Sequence, residues 1–251
     1  MSAPTQRRGL LPATAGVFTL LLAGAAVGWA ARAHAAPRPA GQSSRDAKTP
    51  ALFAADKGQF RILVNGQQVG KEDFEISPKG DHWMARGNTE IQGAQGGTHI
   101  SGTLEFGADG APLHYEWATQ GAKKAGATIA FSGATANIEV RLEGSRPFTQ
   151  QFTFESTRVA ILDDNLYHQY TLLAGLYNWD KKGAQTLSVL VPQEMAPGTV
   201  TVESLGSQDL GGKKVEELRV QTEDLEVDLF LDGRRVVRIV APASNAEIIR
   251  E

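Results

Sequence analysis

Asp164-Asn165-Leu166-Tyr167-His168-Gln169-Tyr170-Thr171-Leu172-Leu173-Ala174-Gly175-Leu176-Tyr177-Asn178 is the helix-like run in a chain that otherwise reads as strands. It holds three of the four tyrosines. On a wheel advancing about 100° per residue, Leu166, Tyr170, Leu173, Ala174 and Tyr177 share one face. Leu172 and Leu176 widen that face on one side and Tyr167 on the other, with Gln169 as the polar interruption. His168, Thr171, Gly175 and Asn178 fill the remaining arc. A helix lying on the outside of a sheet needs a narrower apolar stripe than this, so the segment should be buried on more than one side. The reading that follows is mainly β: a strongly curved antiparallel meander sheet, or open barrel, enclosing one helix. Such a shape is a container.

The strand signals on both sides of the helix fit that reading. Phe60 to Val64 ends at Asn65-Gly66, a tight-hairpin dipeptide. Asp73 to Ser77 alternates and ends at Pro78-Lys79-Gly80, and further runs span His82 to Gln92, Ile100 to Phe106, Leu113 to Ala118 and Thr128 to Phe131. Asn137 to Glu143 alternates strictly, as a sheet with one wet face does. Thr149 to Phe154 puts Phe152 and Phe154 on one face. After the helix come Thr186 to Val191, Thr199 to Leu205 and Val215 to Gln221. In the last hairpin Leu225, Val227, Leu229 and Leu231 should face inward together, and Asp232-Gly233 turns the chain into Arg235 to Val240. A strand every 8–12 residues or so indicates a meander, and without βαβ alternation a parallel α/β fold is not expected.

The N-terminus reads as an export signal over residues 1–35. Arg7 and Arg8 form its positive region, an apolar stretch runs roughly from Ala15 to Ala31, and Ala33-His34-Ala35 supplies the cleavage site. Residues 36–55, rich in Pro, Ala, Ser and Gly, read as a flexible tether, and 56–251 as a single β-rich domain. The expected location is therefore periplasmic or extracellular. Removing the three arginines of the signal takes the formal charge from −3 to −6, which argues against nucleic acid as a partner. Cysteine is absent, which excludes disulfides, thiolate nucleophiles and Cys-ligated zinc.

Chemical signatures are sparse. His82, His99, His114 and His168 show no metal-ligand spacing, and no metal or cofactor is expected. No Gly-x-Ser-x-Gly elbow and no phosphate-loop pattern occurs, and no catalytic residue is assigned. Asp163 and Asp164 precede the helix and should cap it. With His168 they are also the one candidate for acid–base chemistry, which leaves a hydrolase near Asp164 and His168 as an alternative. The acidic pairs Glu72/Asp73, Glu216/Glu217 and Glu223/Asp224 read as solvated strand ends. The lysine pairs Lys123-Lys124, Lys181-Lys182 and Lys213-Lys214 read as turns, able to meet a membrane surface if they share a rim. Trp83, Trp117, Trp179, Tyr115, Tyr167, Tyr170 and Tyr177 are amphipathic. From the helix and its flank, Tyr167, Leu172, Tyr170 and Trp179 are the candidate ligand-lining residues.

The signal, the short Pro/Ala linker, the meander, and Asp163-Asp164-Asn165-Leu166-Tyr167-His168-Gln169-Tyr170 followed by Val191-Pro192-Gln193 resemble a group of uncharacterised bacterial exported proteins. The resemblance spans about residues 58 to 250 in the order of elements. It implies a fold similar to the periplasmic lipoprotein-carrier half-barrel, whose curved sheet holds several helices where this chain has one. It transfers no functional residue. The function expected is that of an exported non-enzymatic protein binding a lipophilic small molecule or a protein segment in its concavity. A solid-core interaction or structural module is the other alternative.

Overall fold

The computed structural model describes residues 52–93, 96–121 and 124–251. The export signal, most of the linker, and Lys123 of the first lysine pair lie outside them. The first meander comprises β1 (Asp56–Val64), β2 (Gln67–Lys79), β3 (His82–Gly93), β4 (Gly96–Phe106), β5 (Pro112–Gln120), β6 (Ala125–Ser132), β7 (Thr135–Leu142) and β8 (Phe148–Thr153), each antiparallel to its predecessor. Then come the short β9 (Val159–Ile161) and the helix α1 (His168–Leu176). A second antiparallel meander follows: β10 (Gln185–Val191), β11 (Ala196–Leu210), β12 (Lys213–Gln221), β13 (Glu226–Asp232), β14 (Arg235–Ala241) and β15 (Ala246–Arg250). The meanders fuse where β1 pairs with β15, so the first and last strands lie side by side in mid-sheet.

Local chemistry sets the turns. Asn65 (φ 52°) and Gly66 (φ 74°) both take the left-handed conformation that a two-residue hairpin needs. The β10–β11 and β14–β15 hairpins use a common device. Each is a single turn of 3-10 helix opened by proline (Pro192–Glu194, Pro242–Ser244) and followed by a left-handed residue, Met195 or Asn245.

The sheet must curl. Laid flat, 15 strands would be about 67 Å wide. Yet its two edges, β8 and β9, are consecutive in sequence and joined by residues 154–158 alone. Six extended Cα steps reach about 21 Å at most. The edges therefore approach each other, and the Pro192–Glu194 turn touches β6 across the opening. The result is a barrel-like sheet that does not close.

The antiparallel expectation fails at one place: β9 runs parallel to β10. Parallel neighbours need a crossover rather than a hairpin, and residues 162–184 are that crossover. It runs through the interior and carries α1. This is the reason for the breadth of the helix's apolar surface: Leu166, Leu173 and Tyr177 are each at most 2% exposed, and Leu172 and Ala174 are also buried, while Tyr170 is half-buried against the core. The last hairpin behaves as its alternation predicts, with Val227, Leu229 and Leu231 buried and Leu225 packed against the core. β9 is three residues long and β15 five, too short for alternation to reveal. Leu52 and Phe53, within the stretch that composition marks as tether, pack on the core, and the Phe53 ring meets Phe106 edge-on at 4.9 Å.

Candidate functional site

The crossover turns inward after Leu162, whose N–H donates to Leu190 O. Asn165 takes a left-handed φ of 64°, which asparagine tolerates better than most residues. The Thr89 hydroxyl fixes it by donating to Asn165 O at 2.5 Å. Beneath this bend two glycines face each other, Gly87 on β3 and Gly102 on β4. A Cβ on Gly87 would collide with the His168 ring, and one on Gly102 would lie 2.6 Å from Leu166 Cδ1. The pair is a dent in the sheet wall that admits the start of the helix.

α1 covers His168–Leu176, shorter at both ends than the 164–178 run suggests. Asp163 and Asp164 do not cap it. The cap residue is Tyr167, whose own side chain makes no capping bond, and the helix carries no acid in its first turn. The capping carboxylate comes from β2 instead. Glu72 Oε2 accepts the N–H of Tyr167 at 2.8 Å and of His168 at 3.1 Å, and Oε1 lies 2.6 Å from His168 Nδ1. A carboxylate suits the positive end of a helix dipole. Two expectations are corrected here. Glu72 is no solvated strand end, being 0% exposed, and His168, 1% exposed, pairs with Glu72 rather than with Asp163 or Asp164. The signal was available: Glu72 is in phase with Phe74 and Ile76, whose inward face is buried. The His168 ring also stacks on Phe74, with centroids 6.2 Å apart.

A second polar group closes on itself. Asp163 N donates to Gln169 Oε1 (2.5 Å), Gln169 Nε2 donates to the Tyr115 hydroxyl (3.0 Å), and that hydroxyl donates to Asp163 Oδ2 (2.6 Å). Gln193 N completes Asp163 by donating to Oδ1 at 2.8 Å. Burial pushes the Asp163 carboxyl up to about 7 against the pull of those donors. Asp164 is raised to about 7 too, first by burial, then by the neighbouring charges of Glu194 and Asp163. Burial, with Asp163 beside it, lifts the Tyr115 phenol well above its ordinary range. Glu72, His168, Asp163, Gln169 and Tyr115 thus spend their polar atoms on one another and on backbone. They pin the crossover, and none of them lines either of the two cavities described below. Among the described residues no group of three or more His, Asp or Glu side chains is arranged to hold a metal.

The other end of α1 differs. A cavity of about 300 Å³ opens there, lined by Phe53, Ile76, Leu172, Leu176, Tyr177, Trp179 and Leu231, with Arg158, Arg234 and Arg235 and the acids Asp56 and Asp180 on the same wall. It brings Leu172 and Trp179 together, while Tyr167 and Tyr170 are half-buried elsewhere, the Tyr167 hydroxyl 3.3 Å from Asn165 Oδ1. Trp179 meets Tyr177 edge-on at 5.1 Å. The Thr171 hydroxyl, on the cavity wall, is buried with no hydrogen-bond partner among the described residues. Two lysine pairs stand by this rim. Lys181-Lys182 follows the lining residue Asp180, and Lys213 Nζ bonds Asp232 at 2.5 Å, beside the turn that carries Arg234. A wider, polar groove of about 660 Å³ runs along the outer ends of β2 to β5, past Lys71, Glu90, Gln92 and His99.

No protein-family model matches the chain, and no curated protein matches it. Among solved structures it is similar to a β-barrel-like protein of a domain of unknown function, DUF1849, from Brucella abortus. The TM-score is 0.52 at 12% identity, over 78% of this chain and 94% of that one. At that identity the likeness concerns the fold. It supports a β-barrel-like architecture and not the lipoprotein-carrier half-barrel in particular.

Proposed function

We propose that the chain is an exported, non-enzymatic binding protein that holds an apolar molecule with an anionic head in the cavity at the C-terminal end of α1. The cavity carries the reading. Its apolar wall and its volume of about 300 Å³ suit a small lipophile. Arg158 at the same wall suits a carboxylate or phosphate, since a guanidinium binds such heads in two-pronged fashion, while Arg235 lies 3.7 Å from Asp56 and Arg234 donates to Leu52 O. Leu172 and Trp179 are the lining residues that the helix-like run and its flank suggest, and Tyr167 and Tyr170 are not assigned to the ligand. The basic rim is compatible with delivery at an anionic membrane surface. Hydrolysis at Asp164 and His168 gains no support, because His168 is enclosed with Glu72 and away from the cavity.

The test uses laurate. Native mass spectrometry and tryptophan fluorescence should report one laurate per chain, and Arg158→Glu should weaken binding at least tenfold without lowering the melting temperature. Laurate binding that ignores both Arg158→Glu and Trp179→Ala would refute this site. Export is checked separately, since the mature chain should begin at Ala36.

A further inference from the structure

β8 is the terminal strand of the sheet at one edge, and its outer backbone has no strand partner among the described residues. It is unlike the opposite edge, where all three residues of β9 are buried. Five of the six β8 residues are exposed, and only Phe152 is half-buried. Register with β7 sets Phe148 opposite Val140, Gln150 opposite Ile138 and Phe152 opposite Ala136, all buried positions of the inner face. β8 therefore carries the inner face of the sheet past the point where anything covers it. Leu142 and Phe148, at 42% and 44% exposure, are two of the four large apolar side chains left exposed among the described residues, and both belong to this corner. Natural sheets usually protect a free edge with lysine, proline or a bulge. The run Phe148-Thr149-Gln150-Gln151-Phe152-Thr153-Phe154 has none of these and no charge.

We propose that this edge pairs with β8 of a second copy, antiparallel about a two-fold axis at Gln150. Opposed residues of an antiparallel pair share a face. That register sets Phe148 against Phe152 of the partner twice over and Gln150 against its own copy, so no like charges meet within the strand. The pairing covers Phe148 and gives the free backbone its missing ladder. It is independent of the ligand reading.

Sedimentation velocity over the micromolar range should show a monomer passing to a dimer as concentration rises. Gln150→Lys and Gln150→Glu each place like charges opposite one another at the axis, and each should hold the protein monomeric at every concentration. Gln150 is exposed, so both variants should melt like the parent. An equimolar mixture of the two should recover the dimer. A parent that stays monomeric throughout overturns the proposal, as does a Gln150→Lys variant that dimerises like the parent or a mixture that fails to associate.

Discussion

The two ends of α1 lie about 13 Å apart by helix rise, inside one barrel-like sheet, and are built on opposite terms. At the N-terminal end Glu72 and Asp163 are enclosed and partnered, Glu72 with His168 and two backbone amides, Asp163 with Tyr115 and Gln193. At the C-terminal end the wall is apolar and incomplete, with a cavity, an unpartnered Thr171 hydroxyl and arginines at the mouth. Burial of a charge is costly unless it is paired and hydrogen-bonded. The N-terminal end meets that condition within the protein, so it reads as the anchor that fixes one path for the crossover. The C-terminal end instead borders a cavity, and it is there that the ligand is proposed to sit. The contrast warns against taking a buried Glu–His pair for a catalytic one on distance alone.

The strongest way to break the contrast is to remove what both ends share. Leu173, at 0% exposure, sits between them in the centre of the helix. Leu173→Asp should abolish cooperative folding, since a lone buried charge has no compensation there. Circular dichroism melts decide it, and a variant melting like the parent would make the helix peripheral.

Next comes the anchor. Glu72→Ala leaves His168 and two helix amides without their acceptor. Breaking a buried pair by removing one partner costs about 3–5 kcal/mol, and denaturant unfolding measures it. Glu72→Gln keeps an acceptor oxygen and should cost less than half as much. A loss below about 1 kcal/mol for Glu72→Ala would mean that the crossover is held elsewhere.

How much of this was legible in the sequence divides along the same line. The container followed from the breadth of the Leu166–Tyr177 wheel, because a helix apolar on so many sides has to be surrounded. Leu172 stood out because it flanks that wheel and Trp179 because it is an amphipathic aromatic, and both border the cavity, whereas Tyr167 and Tyr170 do not. The anchor was hidden because its parts are far apart in sequence: Glu72 and His168 are separated by 96 positions. Local rules favour Asp163 and Asp164 as caps, and tertiary reach from β2 overrode them. The glycines that make room, Gly87 and Gly102, lie in strand runs where a glycine ordinarily weakens pairing, and only their opposition across two strands shows their use. The three-residue β9 gave no periodic signal, and with it the parallel pairing that sends the helix inward was lost.

A third, smaller effect separates the ends by pH. Asp163 and Asp164 are raised to about 7 in the folded chain, against about 3.9 unfolded. A carboxyl raised in this way binds its proton more tightly when folded. The stability it lends is complete below about pH 4 and is lost as pH rises through about 7. The melting temperature should therefore fall between about pH 4 and pH 7, and Asp163→Asn should flatten that slope. A parent melt constant over this range would place the charges of both aspartates in the folded protein at neutral pH.

The smallest effect on stability belongs to the cavity and sharpens the contrast most. Thr171→Val removes a hydroxyl that bonds to nothing among the described residues and keeps the shape of the side chain. If the anchor end is complete and the cavity end is not, the same kind of change has opposite consequences. Losing an acceptor at Glu72 destabilises by several kcal/mol, whereas losing the Thr171 hydroxyl should be neutral or stabilise by up to about 1 kcal/mol, because an unmet hydroxyl no longer has to be desolvated on folding. Laurate affinity should stay unchanged, since that hydroxyl is enclosed and out of reach of a head group. Melts and titrations on one sample separate the two terms. A Thr171→Val variant that loses stability like a core hydrogen bond would show that its hydroxyl is satisfied within the protein, and the distinction between the ends would then rest on the arginines alone.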